Sequence, residues 1–345
     1  MSASLDPASR AASTSFSPLG LLKKVFLHFG ILPFLLLIVI VLFGVNEPRF
    51  LSETNLSNVA RQSTFLMIVA MAQLLVLITA GMDLSVGALI GLVSVVTGLA
   101  MKSWIGDDLE VATAVTYAML CGMGVSLCVG LFNGFCVAVL GLSPFIATLG
   151  TMTGLTGIAL TLSGGVPVAG LPIEFMEAFS IDRYLGIQAP LWVTFGVFLF
   201  GLLLLQHTTL GRYLYAIGSN AKAARLSGIG TRRMVFVAYA FCSLITGVAA
   251  LLILARTGTG GANIGSEYGL QSVTACVIAG VSLFGGTGRI GSVVLGALFL
   301  ALLSNGMNIL QIQSYIQMIV LGGILILALV GDKLRMRLLG QRGGH

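Results

Sequence analysis

The chain has 345 residues, of which 57% are apolar and 9% charged; its mean hydropathy is +1.03 and its formal net charge +6. An average soluble domain is roughly a quarter charged. So few charges cannot clothe a water-exposed surface, which excludes a soluble enzyme and makes the chain an integral membrane protein.

Residues 1–24 are rich in Ser and Ala, carry Arg10, Lys23 and Lys24, and are expected to form a cytoplasmic tail. A bilayer-spanning helix needs about 20 mostly apolar residues. Runs free of Asp, Glu, Lys and Arg cover 25–46, 62–82, 84–101, 111–173, 184–211, 234–255, 268–288 and 290–331. Six of these runs each fit one span, and the two longest, 111–173 and 290–331, each fit two. The first run lacks a small-x-small cleavage site and continues into Asn46-Glu47-Pro48, so it is expected to be an uncleaved span. The run at 84–101 is short enough to be a broken or re-entrant helix. The expected architecture is an all-α polytopic helical bundle of about ten transmembrane helices over 25–332, followed by a basic cytoplasmic tail at 333–345.

With ten alternating spans and a cytoplasmic N-terminus, the inner segments hold 13 of the 18 basic residues, as lysine and arginine bias demands. The outer segments hold Glu47, Glu53, Asp107, Asp108, Glu110, Glu174, Glu177, Asp182 and Glu267. The five cysteines form no C-x-x-C pair, and His28, His207 and His345 offer no metal-ligand spacing.

Glycines cluster where spans are expected to break: Gly81-Met82-Asp83-Leu84-Ser85-Val86-Gly87, Ser163-Gly164-Gly165-Val166-Pro167 and Gly285-Gly286-Thr287-Gly288-Arg289. Irregular backbone at membrane depth is tolerated only beside protein or a wet cavity, so such breaks favour a transporter over an anchor. Polar residues in the spans are few and neutral: Gln73, Asn133, Thr148 and, near a helix end, Asn305. Each is either a helix–helix hydrogen bond or a solute contact. Asp83 is the one acid between two apolar runs, and its carboxylate either caps the next helix or belongs to the pathway. Ion-coupled carriers need intramembrane ionisable or clustered oxygen ligands. Their scarcity predicts a neutral cargo and an external source of energy.

Asn133-Gly134 is followed by Gly150, 17 residues beyond the Asn, and Asn305-Gly306 by Gly322 at the same interval. Five spans separate the copies, as in an inverted repeat. Gly286-x-Gly288-x-x-Gly291 follows an apolar helical run instead of a strand, so it is not a dinucleotide site. No G-x4-G-K-[ST] loop and no nucleophile–base set is present, so neither ATP hydrolysis nor other catalysis is expected of this chain.

The largest basic inner loop, 206–233, is expected to form a short helix along the membrane surface. Ser219 or Asn220 would cap it and Gly228 would end it. Its small-residue face suits a groove on a cytosolic partner; the alternative is a lipid-held interfacial helix.

Ala223-Ala224-x-x-x-Gly228 resembles the core of the cytoplasmic loop motif of ATP-binding-cassette importer permeases, with Lys222 where that motif has an acid. With Gly81–Gly87, Ser143-Pro144-Phe145-Ile146-Ala147-Thr148-Leu149-Gly150, Gly211–Ile229 and Gly285–Gly306, the chain is similar to the ribose/xylose/galactose-type permeases over residues 60–330. The resemblance implies a bacterial inner-membrane permease subunit with both termini cytoplasmic. It implies a second permease chain, a cytosolic ATPase that carries ATP and Mg, an extracytoplasmic solute-binding protein, surrounding lipid, and no nucleic acid. This chain would bind no cofactor or metal itself. The cargo would be a neutral monosaccharide or polyol, with Gln73, Asp83, Ser85, Asn133, Phe145, Thr148 and Asn305 along its path. Gly218, Asn220, Ala223, Ala224, Arg225, Gly228 and Ile229 would couple to the ATPase. A permease for nucleosides, a signal sugar or branched-chain amino acids, or a stand-alone secondary carrier, are the other readings.

Overall fold

A computed structural model describes residues 31–107 and 109–338, with side chains described through 331. The expected N-terminal tail and most of the C-terminal tail lie outside these residues.

The described chain is mostly helical; its only extended pairing among the described residues is one two-stranded hairpin and one isolated bridge. Helix α1 (Leu32–Asn46) is followed by a 3-10 turn and by α2 (Glu53–Leu77), which Ser52 caps by accepting from the Asn55 amide at 3.3 Å. After a break come α3 (Val86–Gly106) and α4 (Val111–Gly134), and α4 ends in a π turn over Phe135–Val139. Pro144 opens α5 (Pro144–Ser163), where its missing N–H costs nothing. A short helix, α6 (Ile173–Met176), and a π turn lead to the strands β1 (Arg183–Tyr184) and β2 (Ile187–Gln188). These are joined by Leu185 and Gly186, both with positive φ, as a two-residue hairpin turn requires. Next come α7 (Ala189–His207), α8 (Thr209–Ser219), α9 (Ala221–Leu226) and α10 (Thr231–Thr257). The chain closes with α11 (Tyr268–Ile278), α12 (Ile290–Ile309) and α13 (Ser314–Leu338).

Eight of the described helices are long and apolar enough to cross a membrane: α2, α3, α4 with its π turn, α5, α7, α10, α12 and α13. The two shorter apolar helices are α1 and α11. Ten apolar helices therefore stand where ten spans are expected, with one correction. The run 268–288 is not a full-length helix. Its 11-residue α11 rises only about 16 Å, roughly half the hydrocarbon thickness. The remainder is the glycine-rich loop with positive φ at Gly280, Gly285 and Gly286. A charge count cannot see that interruption, because glycine is as uncharged as leucine. From Val86 onward the run at 84–101, suspected of being broken, is the continuous helix α3; the break ends at Ser85, just before it.

Helices α2, α3 and α10 form the centre of the bundle, with over 70% of their apolar windows buried, against 22% for α5 and 6% for α13. The outward faces of α5 and α13 carry large apolar side chains, as a lipid or partner-helix contact requires. Glycine sets the central packing. At Gly130 a Cβ would stand 2.9 Å from the Ala240 Cα, and at Gly87 one would stand 2.8 Å from the Gly265 carbonyl oxygen.

Candidate functional site

The break between α2 and α3 is held by a buried polar cluster. Asp83 is fully buried; its Oδ1 accepts from the Ser85 amide at 2.9 Å and from Ser85 Oγ at 2.6 Å. Asn133, near the end of α4, donates through Nδ2 to Ser85 Oγ at 2.8 Å and to Asp83 Oδ2 at 3.3 Å. Its own Oδ1 accepts from Thr151 Oγ1 at 2.7 Å. Thr148 Oγ1 accepts from the Leu84 amide at 3.2 Å and donates to the Pro144 carbonyl at 2.8 Å. Gln73, with its amide nitrogen toward the Asp83 carbonyl, donates to it at 3.1 Å and accepts from the Asp83 amide at 3.1 Å. Tyr239 on α10 donates to the Met82 carbonyl at 3.2 Å. An unwound segment leaves backbone groups unpaired, and burial of an unpaired group costs about 1–3 kcal/mol. These side chains supply the partners that the missing helical turn cannot.

Five of the seven expected pathway residues, Gln73, Asp83, Ser85, Asn133 and Thr148, thus meet in one buried network. Asp83 sits ahead of α3 and accepts from the amide of Ser85, the N-cap residue itself, so its carboxylate closes a local turn and does not cap α3, which has no side-chain cap. Phe145 and Asn305 lie elsewhere. Phe145 is half exposed on the first turn of α5. Asn305 pairs reciprocally with Asn55, at 2.9 and 3.0 Å, and so ties α12 to α2.

The short helix expected in the loop over 206–233 forms as α9, behind α8, a helix not expected from the sequence, and the structure makes one addition. Thr208 caps α8 by accepting from the Gly211 amide at 3.2 Å. Asn220 separates α8 from α9 and caps α9 by accepting from the Ala223 amide at 2.9 Å. Gly228, at φ +82°, ends it, and the Ile229 amide returns to the Ala224 carbonyl at 3.1 Å. Of α9 only Ala224 is buried; Lys222, Ala223, Arg225 and Leu226 are exposed.

The addition is a glycine joint between this loop and the membrane segments. The Gly286 amide donates to the Ile78 carbonyl at 2.9 Å. Gly218, at the end of α8, lies so close that an added Cβ would collide with both partners of that bond. At Gly285 (φ +86°) a Cβ would stand 2.7 Å from the Ala80 amide nitrogen and 2.9 Å from the Gly218 Cα. Tyr215 donates to the Gly288 carbonyl at 2.7 Å. Burial pushes the Tyr215 phenol above its ordinary range and the nearby Arg289 opposes the shift, so the hydroxyl stays a donor at neutral pH. The end of α8, the 285–288 loop and the 78–85 break therefore touch backbone to backbone.

A family model described as "Branched-chain amino acid transport system / permease component" matches residues 55–329. The chain belongs to this permease family. It is 37% identical over 300 residues to the ribose import permease of Escherichia coli K12, covering 86% of this chain and 91% of that one. The D-allose transport system permease of the same organism is 34% identical over 302 residues, covering 87% and 90%. The xylose transport system permease of Haemophilus influenzae is 32% identical, covering 89% and 96%. No solved structure matches the chain.

Against this permease frame the remaining features fall at the other end of the bundle. Glu174, Glu177 and Asp182 are exposed around α6, which buries Phe175 against Met101, Val115 and Leu254. The Val168 amide donates to the Gly260 carbonyl at 2.7 Å, and the Val168 carbonyl accepts from the Gly260 amide at 2.9 Å, fastening this region to the segment after α10. Sequence reasoning missed Thr151, Tyr239, Tyr215 and Ile78. Thr151 was within reach, because it lies one turn from Thr148 on the buried face of α5. Tyr239 and Ile78 carry no local signal, since their roles come from long-range contacts.

Proposed function

We propose that the chain is the membrane-spanning permease subunit of an ATP-driven importer for a neutral monosaccharide or polyol. The observation that carries this is the glycine joint, which keys the loop at 209–229 into the α2–α3 break. A passive anchor has no need of such a contact. The ribose, allose and xylose names of the relatives support a sugar cargo. Asp83, the one acid deep in the described bundle, is already occupied by Ser85 and Asn133, which favours an external motor over a proton relay.

In this mechanism a cytosolic ATPase, which carries ATP and Mg, grips α9 and the Gly228 turn. Its closure displaces α8, and the joint moves the 285–288 loop and the 78–85 break together. Two permease chains then alternate between outward and inward openings, a shift that needs differential affinity for the two states. The binding protein docks at the acidic end around Glu174, Glu177 and Asp182, which faces outward, while the coupling loop and both termini face the cytoplasm. Gln73, Asp83, Ser85, Asn133 and Thr148 shape the break beside the pathway. Phe145, half exposed, offers a ring face to the solute. Asn305 holds α12 on α2.

The test is association with the ATPase. Gly228 has open space around it but a positive φ, so Gly228→Trp adds bulk on the exposed side of the turn. The variant should insert in the membrane and lose ATPase association and uptake. Normal uptake by that variant would defeat the coupling assignment.

A further inference from the structure

We infer that the chain carries a binding site for a phosphate group, taken from an anionic phospholipid, at the start of α10. The inference rests on the proposed orientation, in which this end meets the cytoplasmic leaflet.

A cavity of about 210 Å³ lies under the loop between α8 and α9. Its walls are largely apolar: the 79–81 break, Ala138 in the π turn of α4, Pro144, Ile217 and Val235. Thr231 and Arg232, the first two residues of α10, complete the lining. Three independent features there suit an anion. The first is the terminus of a 27-residue helix with no side-chain cap. The amides of Arg232 and Arg233 find no acceptor among the described residues, and the helix dipole adds positive potential at that point. The second is Thr231. It is only 7% exposed and lines the cavity, and its hydroxyl, open to solvent, makes no hydrogen bond among the described residues. The third is the exposed Arg232, a bidentate donor of the geometry that phosphate accepts, free of any carboxylate within 4.0 Å among those residues.

The surroundings decide the source. Between Asp182 and Glu267 the sequence carries no acid, while Arg212, Lys222, Arg225, Arg232 and Arg233 gather at this end. Such a basic rim concentrates anionic lipid. The apolar walls give a glycerol and acyl segment a place that a sugar would find poor in hydrogen-bond partners. Because the cavity touches Ala80, Gly81, Ile217 and Ala221, a lipid seated there contacts both sides of the glycine joint. Occupancy would then bias the coupling movement.

The experiment uses the full chain, purified in detergent, delipidated, and titrated with phosphatidylglycerol under native mass spectrometry. Arg232→Gln should weaken adduct formation by about tenfold or more, the loss expected for one charge-assisted hydrogen bond. Thr231→Val, which keeps the side-chain size, and Ala138→Trp, which fills the cavity, should also weaken it. Arg212→Gln, an equal loss of charge outside the cavity, should not. Thermal unfolding shows whether Ala138→Trp is folded, and Thr231→Val carries the test if it is not. Competition by inorganic phosphate distinguishes the sources. Displacement only by phosphatidylglycerol assigns a lipid. Binding of inorganic phosphate alone, with the same dependence on Arg232 and Thr231, keeps the site and assigns it to the free anion. Equal losses in Arg212→Gln and Arg232→Gln, or no loss in either, would overturn the proposal.

Discussion

Replacing Gly218 by alanine gives a test whose sign, not merely its size, is diagnostic. In a helix interior alanine is favoured over glycine by roughly 0.8–1 kcal/mol. If the end of α8 were loosely placed, Gly218→Ala would stabilise the protein by up to about that amount. The structure predicts the opposite. The new Cβ meets the Ile78 carbonyl oxygen and the Gly286 amide nitrogen, both backbone atoms that cannot rotate aside. Overpacking of this kind costs about 1–3 kcal/mol, and separating the Gly286–Ile78 bond forfeits roughly 0.5–1.5 kcal/mol more. Subtracting the helix preference leaves a net destabilisation of roughly 0.5–3.5 kcal/mol. Gly196→Ala in α7, where nothing lies within 4 Å, is the control and should be neutral or slightly stabilising. The assay is equilibrium unfolding of both variants in the same detergent, with uptake measured in parallel. Gly218→Ala should lose stability and uptake together. A stabilised variant with normal uptake would refute the close approach and the transmission built on it.

Asp83→Asn should destabilise the chain by about 1–3 kcal/mol, because its new amide group would face the Asn133 amide; the double variant Asp83→Asn with Asn133→Asp should recover part of the loss in a mutant cycle. Tyr215→Phe removes the bond to Gly288 and should lower ATP-driven uptake more than it lowers thermal stability, which costs about 1 kcal/mol. Cysteines placed at 177 and 222 should be labelled from outside and from inside respectively by a membrane-impermeant maleimide; the reverse pattern would invert the orientation.

The sequence reveals whatever depends on charge and local chemistry. Ten apolar segments could be counted because charges avoid the bilayer core. The α9 segment could be placed because Asn220 and Gly228 are strong stop signals with a local mechanism. The polar cluster was half legible, since buried polar groups in lipid attract notice but their pairing does not. Nothing near Asn305 distinguishes it from Asn133, yet one binds Asn55 and the other closes on Asp83 and Ser85. Residue 61 shows a limit of another kind. Helix α2 begins at Glu53 and runs through Arg61, so a charge-free run marks apolar length and not helix boundaries. The π turn after Gly134 and the joint at Ile78, Gly218 and Gly286 are tertiary contacts, set by residues far apart in the chain.

The central claim, a gate driven by an external motor, is tested most directly by reconstitution. The purified chain in liposomes should accumulate no sugar under a proton or sodium gradient. Adding the ATPase, the binding protein and ATP should start uptake that stops when hydrolysis is blocked. Gradient-driven accumulation by the chain alone would contradict the account.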